Sequence, residues 1–62
     1  MSEEIKDAAI ELFNGNVRAA EIWLNKPSIK FNGLSPNEFL EYGKNEDIVL
    51  NYIKALEHGV FQ

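Results

Sequence analysis

Residues 23 to 39 of this chain read WLNKPSIKFNGLSPNEF. The stretch contains both prolines and the only tryptophan of a 62-residue sequence. Pro27 ends a helical pattern. Ser35, Pro36 and Glu38 then supply the N-cap, the first helical residue and the capping-box partner of a new helix. The connection between these two signals is apolar where loops are usually polar, because it contains Ile29, Phe31 and Leu34.

The flanking patterns predict helices and no strand. Apolar residues recur at i, i+3, i+4 and i+7 before Asn14-Gly15, a pair that is typical of a left-handed helix C-cap. Asn16 follows as the N-cap of the next helix, and Gly59 is the C-cap of the last one. We therefore expect one all-α domain, residues 1–62, with four short helices at about 3–13, 17–25, 36–42 and 46–58.

The apolar stripes of these helices supply the predicted core. The second helix is apolar around most of its circumference, which predicts that it is central and buried. The last helix has an apolar arc wider than a surface helix needs, and Leu50 lies outside that arc. The expected core residues are Leu12, Phe13, Trp23, Leu24, Phe39, Leu40, Ile53 and Leu56.

Composition and charge exclude several classes of protein. The chain has no cysteine and a formal net charge of −4, and its six basic residues are spread along the sequence rather than clustered. Direct binding to nucleic acid or to an anionic membrane is therefore not expected. No apolar run approaches the length of a membrane span, and the acidic N-terminus does not resemble a signal peptide. A cytoplasmic protein is expected.

No catalytic residue, metal site or cofactor is predicted. His58 is the only histidine, and at a helix C-terminus it is interpreted as a surface residue compatible with the helix dipole. The acidic pairs Glu3-Glu4 and Glu46-Asp47 lie in first helical turns, where anions stabilise the helix. An enzyme is therefore not expected.

The apolar residues outside the helical stripes are the candidates for binding a partner. Contiguous exposed apolar patches usually mark interaction sites. A loop that folds over the core is the alternative, and one or two of the three apolar residues in the connection are expected to be buried. The predicted partner-binding residues are Ile29, Phe31, Gly33, Leu34, Leu50, Val60 and Phe61.

Short motifs follow one another in a fixed order along the chain. They are Leu12-Phe13 with Gly15, Ala20 with Trp23-Leu24, Pro27 with Gly33, Ser35-Pro36 with Leu40, and Glu57-His58-Gly59-Val60. From about Ala9 to Phe61 this order resembles the toxin-binding domain of the Xre/MbcA/ParS family of antitoxins. The resemblance implies a type II antitoxin module that binds and occludes a RES-domain toxin, an enzyme that attacks NAD⁺ or transfers ADP-ribose from it.

The sequence departs from the family pattern at two places. The usual Gly-Gly turn reads Asn32-Gly33, and Ala55 stands where members commonly have an arginine. Members usually carry a DNA-binding domain ahead of this one, and because this sequence starts at the toxin-binding part, autorepression is not expected. Two alternatives stay open: a self-associating homodimer paired through the last helix, and a relative that binds a different protein partner.

Overall fold

The computed structural model describes residues 3–43 and 46–59, and within these ranges the chain is helical, without a strand. The helices are α1 (Glu3–Leu12), α2 (Val17–Leu24), α3 (Pro36–Gly43) and α4 (Glu46–Glu57), and a short 3₁₀ turn spans Ile29–Phe31. All four helices begin at the predicted residue, and each ends within one residue of its predicted end. The all-α fold is confirmed.

Local hydrogen bonds fix the reversal between α1 and α2. The Gly15 N–H donates to the Ile10 carbonyl at 2.9 Å, which is the long bond of a Schellman motif, and Asn14 has a left-handed φ of 58°. The Asn16 side-chain oxygen then accepts from the Ala19 N–H at 3.0 Å and caps α2. These bonds bring α1 and α2 side by side.

The core lies between α1, α4 and the inner faces of α2 and the connection. Its apolar residues are Ile5, Ala9, Ala20, Leu24, Phe31, Val49 and Ile53, none of them more than 2% exposed. Helix α1 packs most extensively against α4 and next against α2, and α3 contacts α2 and α4. The helix with the most extensive packing is therefore α1.

The prediction that α2 is the central, buried helix is wrong. Val17 and Ile22 are 46% and 58% exposed. Only Ala20 and Leu24 of this helix are fully buried, and Trp23 is half-buried. A helix of eight residues makes little more than two turns, so one narrow stripe is enough to dock it and the other apolar residues face solvent.

The remaining predicted core positions are half-buried. Leu12, Phe13, Trp23, Phe39 and Leu40 pack against the buried cluster, and Leu56 is also half-buried. On α4 the boundary of the apolar face differs from the predicted one. Ile48, predicted inside the arc, is 48% exposed, whereas Leu50, predicted at the periphery, packs against the core.

Candidate protein-binding surface

Residues 28–34 form a closed loop, here named the 28–34 loop. The Ser28 N–H donates to the Leu34 carbonyl at 3.1 Å, which joins the two ends of the loop. The Ser28 carbonyl accepts from the Gly33 N–H at 2.8 Å and from the Phe31 N–H at 3.1 Å. Because these bonds lie within the loop itself, its shape does not depend on a partner.

Two consecutive left-handed residues close the 28–34 loop. Asn32 has φ 58° and ψ 37°, and Gly33 has φ 87°. Asparagine is one of the few residues other than glycine that adopt this conformation readily. The Asn32-Gly33 pair is therefore compatible with a left-handed turn, as a pair of glycines would be.

Gly33→Ala is expected to lower the free energy of unfolding by about 1–2 kcal/mol, because an L-residue is strained in the left-handed region. A Cβ added at Gly33 would meet nothing within 4 Å, so steric overlap adds nothing to this value. Urea denaturation followed by circular dichroism measures the change. Asn32→Gly, which suits the same backbone, is the control and should change the free energy by less than about 0.5 kcal/mol. Equal stabilities of Gly33→Ala and the wild type would contradict the left-handed assignment.

Phe31 anchors the loop to the helices. Its ring centroid lies 4.5 Å from that of Phe39 in α3 and 5.6 Å, edge-on, from that of Tyr52 in α4. The side chain is 2% exposed. Phe31 was predicted to contact a partner, and in the free domain the 3₁₀ turn directs its ring into the core.

A row of aromatic rings continues from this anchor across the domain. The Tyr52 ring stacks on Trp23 at a centroid distance of 6.3 Å, and Trp23 is 6.4 Å from Phe13. Aromatic pairs at such distances stabilise beyond their buried area. The row connects the loop to α4, α2 and the end of α1, so the loop is held by the body of the protein as well as by its own hydrogen bonds.

Ile29 is the outward-facing apolar residue of the loop. It is 97% exposed, whereas Leu34 is half-buried against the core and Gly33 is exposed. The exposed Lys30 beside it has its Nζ atom 5.5 Å from the Tyr52 ring centroid, a cation–π contact. Of the three apolar residues in the connection, one is thus fully buried and one partly.

The remaining predicted partner-binding residues lie outside the 28–34 loop. Leu50 is half-buried on α4 and packs against the core. Val60 and Phe61 lie outside the described residues. Their place in a binding surface stays a prediction.

The exit of the loop is fixed by a capping box. The Ser35 hydroxyl accepts from the Glu38 N–H at 3.1 Å, and the Ser35 N–H donates to the Glu38 carboxylate at 2.9 Å. Ser35 is 3% exposed, so this pair also satisfies polar atoms that water does not reach. The predicted capping box is confirmed.

A side-chain hydrogen bond that the sequence did not predict joins the two helices on either side of the loop. The Asn37 amide donates to the Asn25 side-chain oxygen at 3.0 Å, and the Asn25 amide donates to the Glu21 carbonyl at 2.9 Å. The end of α2 and the start of α3 are therefore linked directly. Periodicity and capping signals do not reveal a bond between residues so far apart in sequence.

Neither a metal site nor a membrane span is present in the described part of the chain. No group of three or more His, Asp or Glu side chains in residues 3–43 and 46–59 could hold a metal ion. The described helices are too short and too polar to cross a bilayer. Fold and surface together define a small helical domain that presents an apolar loop.

The chain belongs to the family of the antitoxin Xre/MbcA/ParS C-terminal toxin-binding domain, whose model matches residues 8–59. It is 37% identical over 57 residues to a curated relative, Antitoxin Xre of Yersinia enterocolitica serotype O:8 / biotype 1B. The match covers 92% of this chain and 38% of that relative, so the chain spans well under half of the relative's length. No solved structure gives a significant match. The resemblance derived from the motifs is confirmed, and the family is described as one of toxin-binding domains.

Proposed function

We propose that this chain is an antitoxin module that binds a RES-domain toxin and occludes its active site. The family supplies the toxin-binding role. The observation that carries the choice of surface is Ile29, a large apolar side chain that is 97% exposed on a loop closed by its own hydrogen bonds. Burying an isoleucine side chain contributes about 1.5–3 kcal/mol, and only a partner can bury this one.

The fixed shape of the 28–34 loop favours tight binding. A loop that must become ordered on binding loses conformational entropy, and this loss opposes association. Here Ser28 and Leu34 close the loop, and the Phe31 ring holds it against Phe39 and Tyr52. The loop is therefore preorganised, and most of the free energy gained by burying Ile29 is available for affinity.

The proposed interface includes further residues. Gly33 and Leu34 belong to the same loop, and Leu50, Val60 and Phe61 are proposed to contact the partner as well. The partner in this proposal consumes NAD⁺, an intracellular cofactor, so the proposed site of action is the cytoplasm.

The proposal is tested with a purified RES-domain protein from the same genome. NAD⁺ consumption is followed while the chain is added in increasing amounts. We expect NAD⁺ consumption to fall linearly and to vanish near one chain per active site of the RES-domain protein, as for a tight, occluding inhibitor. NAD⁺ consumption that is unchanged by an excess of the chain would overturn the proposal. A chain that instead elutes as a stable dimer and leaves the enzyme active would support the self-associating alternative.

A further inference from the structure

The acidic residues are distributed unevenly along this chain. Residues 17–34 contain three of the six basic residues but only one of the ten acidic ones, Glu21. No Asp or Glu occurs at all between residues 22 and 37. Residues 17–34 are therefore positively charged within a chain whose formal net charge is −4.

The outer face of α2 forms a shallow groove with the residues that follow it. Its lining consists of Arg18, Glu21, Ile22, Asn25, Lys26 and Pro27. All six side chains are exposed, and Ile22 is exposed to 58%. Neither Arg18 nor Lys26 forms an ion pair with another described residue. Both cations are therefore available to a partner.

The groove ends at the residue that precedes the 28–34 loop. Pro27 is the last residue of the groove and Ser28 the first of the loop, so Pro27 and Ile29 lie within about 7 Å of each other along the chain. Lys30 follows directly. The groove residues and the loop together are named the α2–loop surface, which contains exposed apolar and exposed basic residues: Ile22, Pro27 and Ile29 with Arg18, Lys26 and Lys30.

We infer that the toxin contacts the α2–loop surface with an apolar patch bordered by carboxylates. This inference rests on the proposed function and specifies the chemistry of the partner's surface. Interfaces pair opposite potentials across a polar rim that surrounds an apolar centre. An apolar patch bordered by carboxylates is complementary to the exposed apolar and basic residues that the α2–loop surface contains. Glu21 is the one acidic residue among those that line the groove.

Exposed rim charges act mainly through the rate of association. Opposite charges steer the encounter of two proteins, and salt screens this effect because the Debye length falls from about 30 Å at 0.01 M to about 3 Å at 1 M ionic strength. Reversing a charge that lies in the interface should therefore slow association at low salt. The same reversal on another helix, outside the α2–loop surface, should act only through the net charge and change the rate little.

The test compares four variants with equal changes in net charge. Arg18→Glu and Lys26→Glu alter the α2–loop surface, while Lys6→Glu on α1 and Lys54→Glu on α4 are the matched controls, and all four residues are exposed. Association with a purified RES-domain protein from the same genome is measured by stopped flow at ~0.01 M and ~0.5 M salt. We expect the first two variants to associate about tenfold more slowly at low salt and within about twofold of wild type at high salt.

The outcomes separate the inference from the proposed function. The controls should lie within about twofold of wild type at both salt concentrations. Equal effects of all four reversals, or faster association of Arg18→Glu and Lys26→Glu, would overturn the inference while leaving toxin binding intact. Absence of binding by the wild-type chain would overturn the proposed function and this inference with it. Self-association of the wild-type chain that is lost in Lys26→Glu would assign the surface to a second copy and also overturn the inference.

Discussion

Phe31→Ala is expected to lower the free energy of unfolding by about 3–5 kcal/mol, the usual effect of removing a buried aromatic ring. Phe31 is 2% exposed and contacts the rings of Phe39 and Tyr52, so its loss leaves a cavity between the loop, α3 and α4. A domain of this size has a total stability of about 3–9 kcal/mol. The substitution should therefore leave the protein largely unfolded near its working temperature.

Chemical denaturation followed by circular dichroism measures this change. Phe31→Leu keeps most of the buried volume and should lower the free energy of unfolding by only about 1–2 kcal/mol, which provides a measurable value where the alanine variant does not fold. Ile29→Ala is the matched control, two residues away on the same loop but 97% exposed, and should change stability by less than about 0.5 kcal/mol. If Phe31→Leu and Ile29→Ala were equally stable, the assignment of Phe31 to the core would be wrong.

Ile29→Ala is expected to weaken toxin binding by at least about 2 kcal/mol, a loss of about 30-fold in affinity. The substitution removes the apolar side chain that the loop presents and leaves the hydrogen bonds of Ser28 and Gly33 in place. The change should therefore appear in binding and not in stability, the reverse of the expectation for Phe31.

Isothermal titration calorimetry with the RES-domain protein measures this effect. Ile48→Ala is the matched control, because Ile48 is also an exposed isoleucine, at 48%, but lies on α4. Its affinity should remain within about threefold of wild type. Wild-type affinity of Ile29→Ala, or a larger loss for Ile48→Ala, would move the interface from the loop to α4.

Much of the fold could be predicted because its helix ends are determined by local capping residues. Asn16 caps α2 and Ser35 with Glu38 caps α3, and each motif depends on residues within three positions of one another. The left-handed residues Gly15 and Gly59 also follow directly from their residue type. Such signals need no knowledge of tertiary packing, which is why α2 and α3 begin where they were expected.

The exposure of single apolar residues could not be predicted in the same way. Ile29 and Phe31 both belong to the apolar connection, and which of them faces outward depends on the 3₁₀ turn and on the left-handed Asn32 that follows it. Ile22 is apolar but exposed because α2 docks through Ala20 and Leu24. In each case the tertiary arrangement decides between residues that the sequence pattern treats alike.

The sequence predicted only part of the candidate surface, because its hydrogen bonds depend on the tertiary arrangement. The resemblance indicates the loop as a shaped surface for a partner, and the structure adds that Ser28 closes it and that the Asn25–Asn37 hydrogen bond spans it. The basic character of α2 and the loop is visible in the sequence only when acidic and basic residues are compared segment by segment. A count of the basic residues alone does not reveal this basic character.

We propose that the 28–34 loop is the toxin-binding surface of this domain. The most direct measurement is a nuclear magnetic resonance titration of the ¹⁵N-labelled chain with the unlabelled RES-domain protein. We expect the amide signals of Ile29, Lys30 and Gly33 to shift or broaden first and most strongly, followed by those of the outer face of α2. Changes confined to α1 and α4, with the loop signals unaltered at saturation, would contradict this proposal.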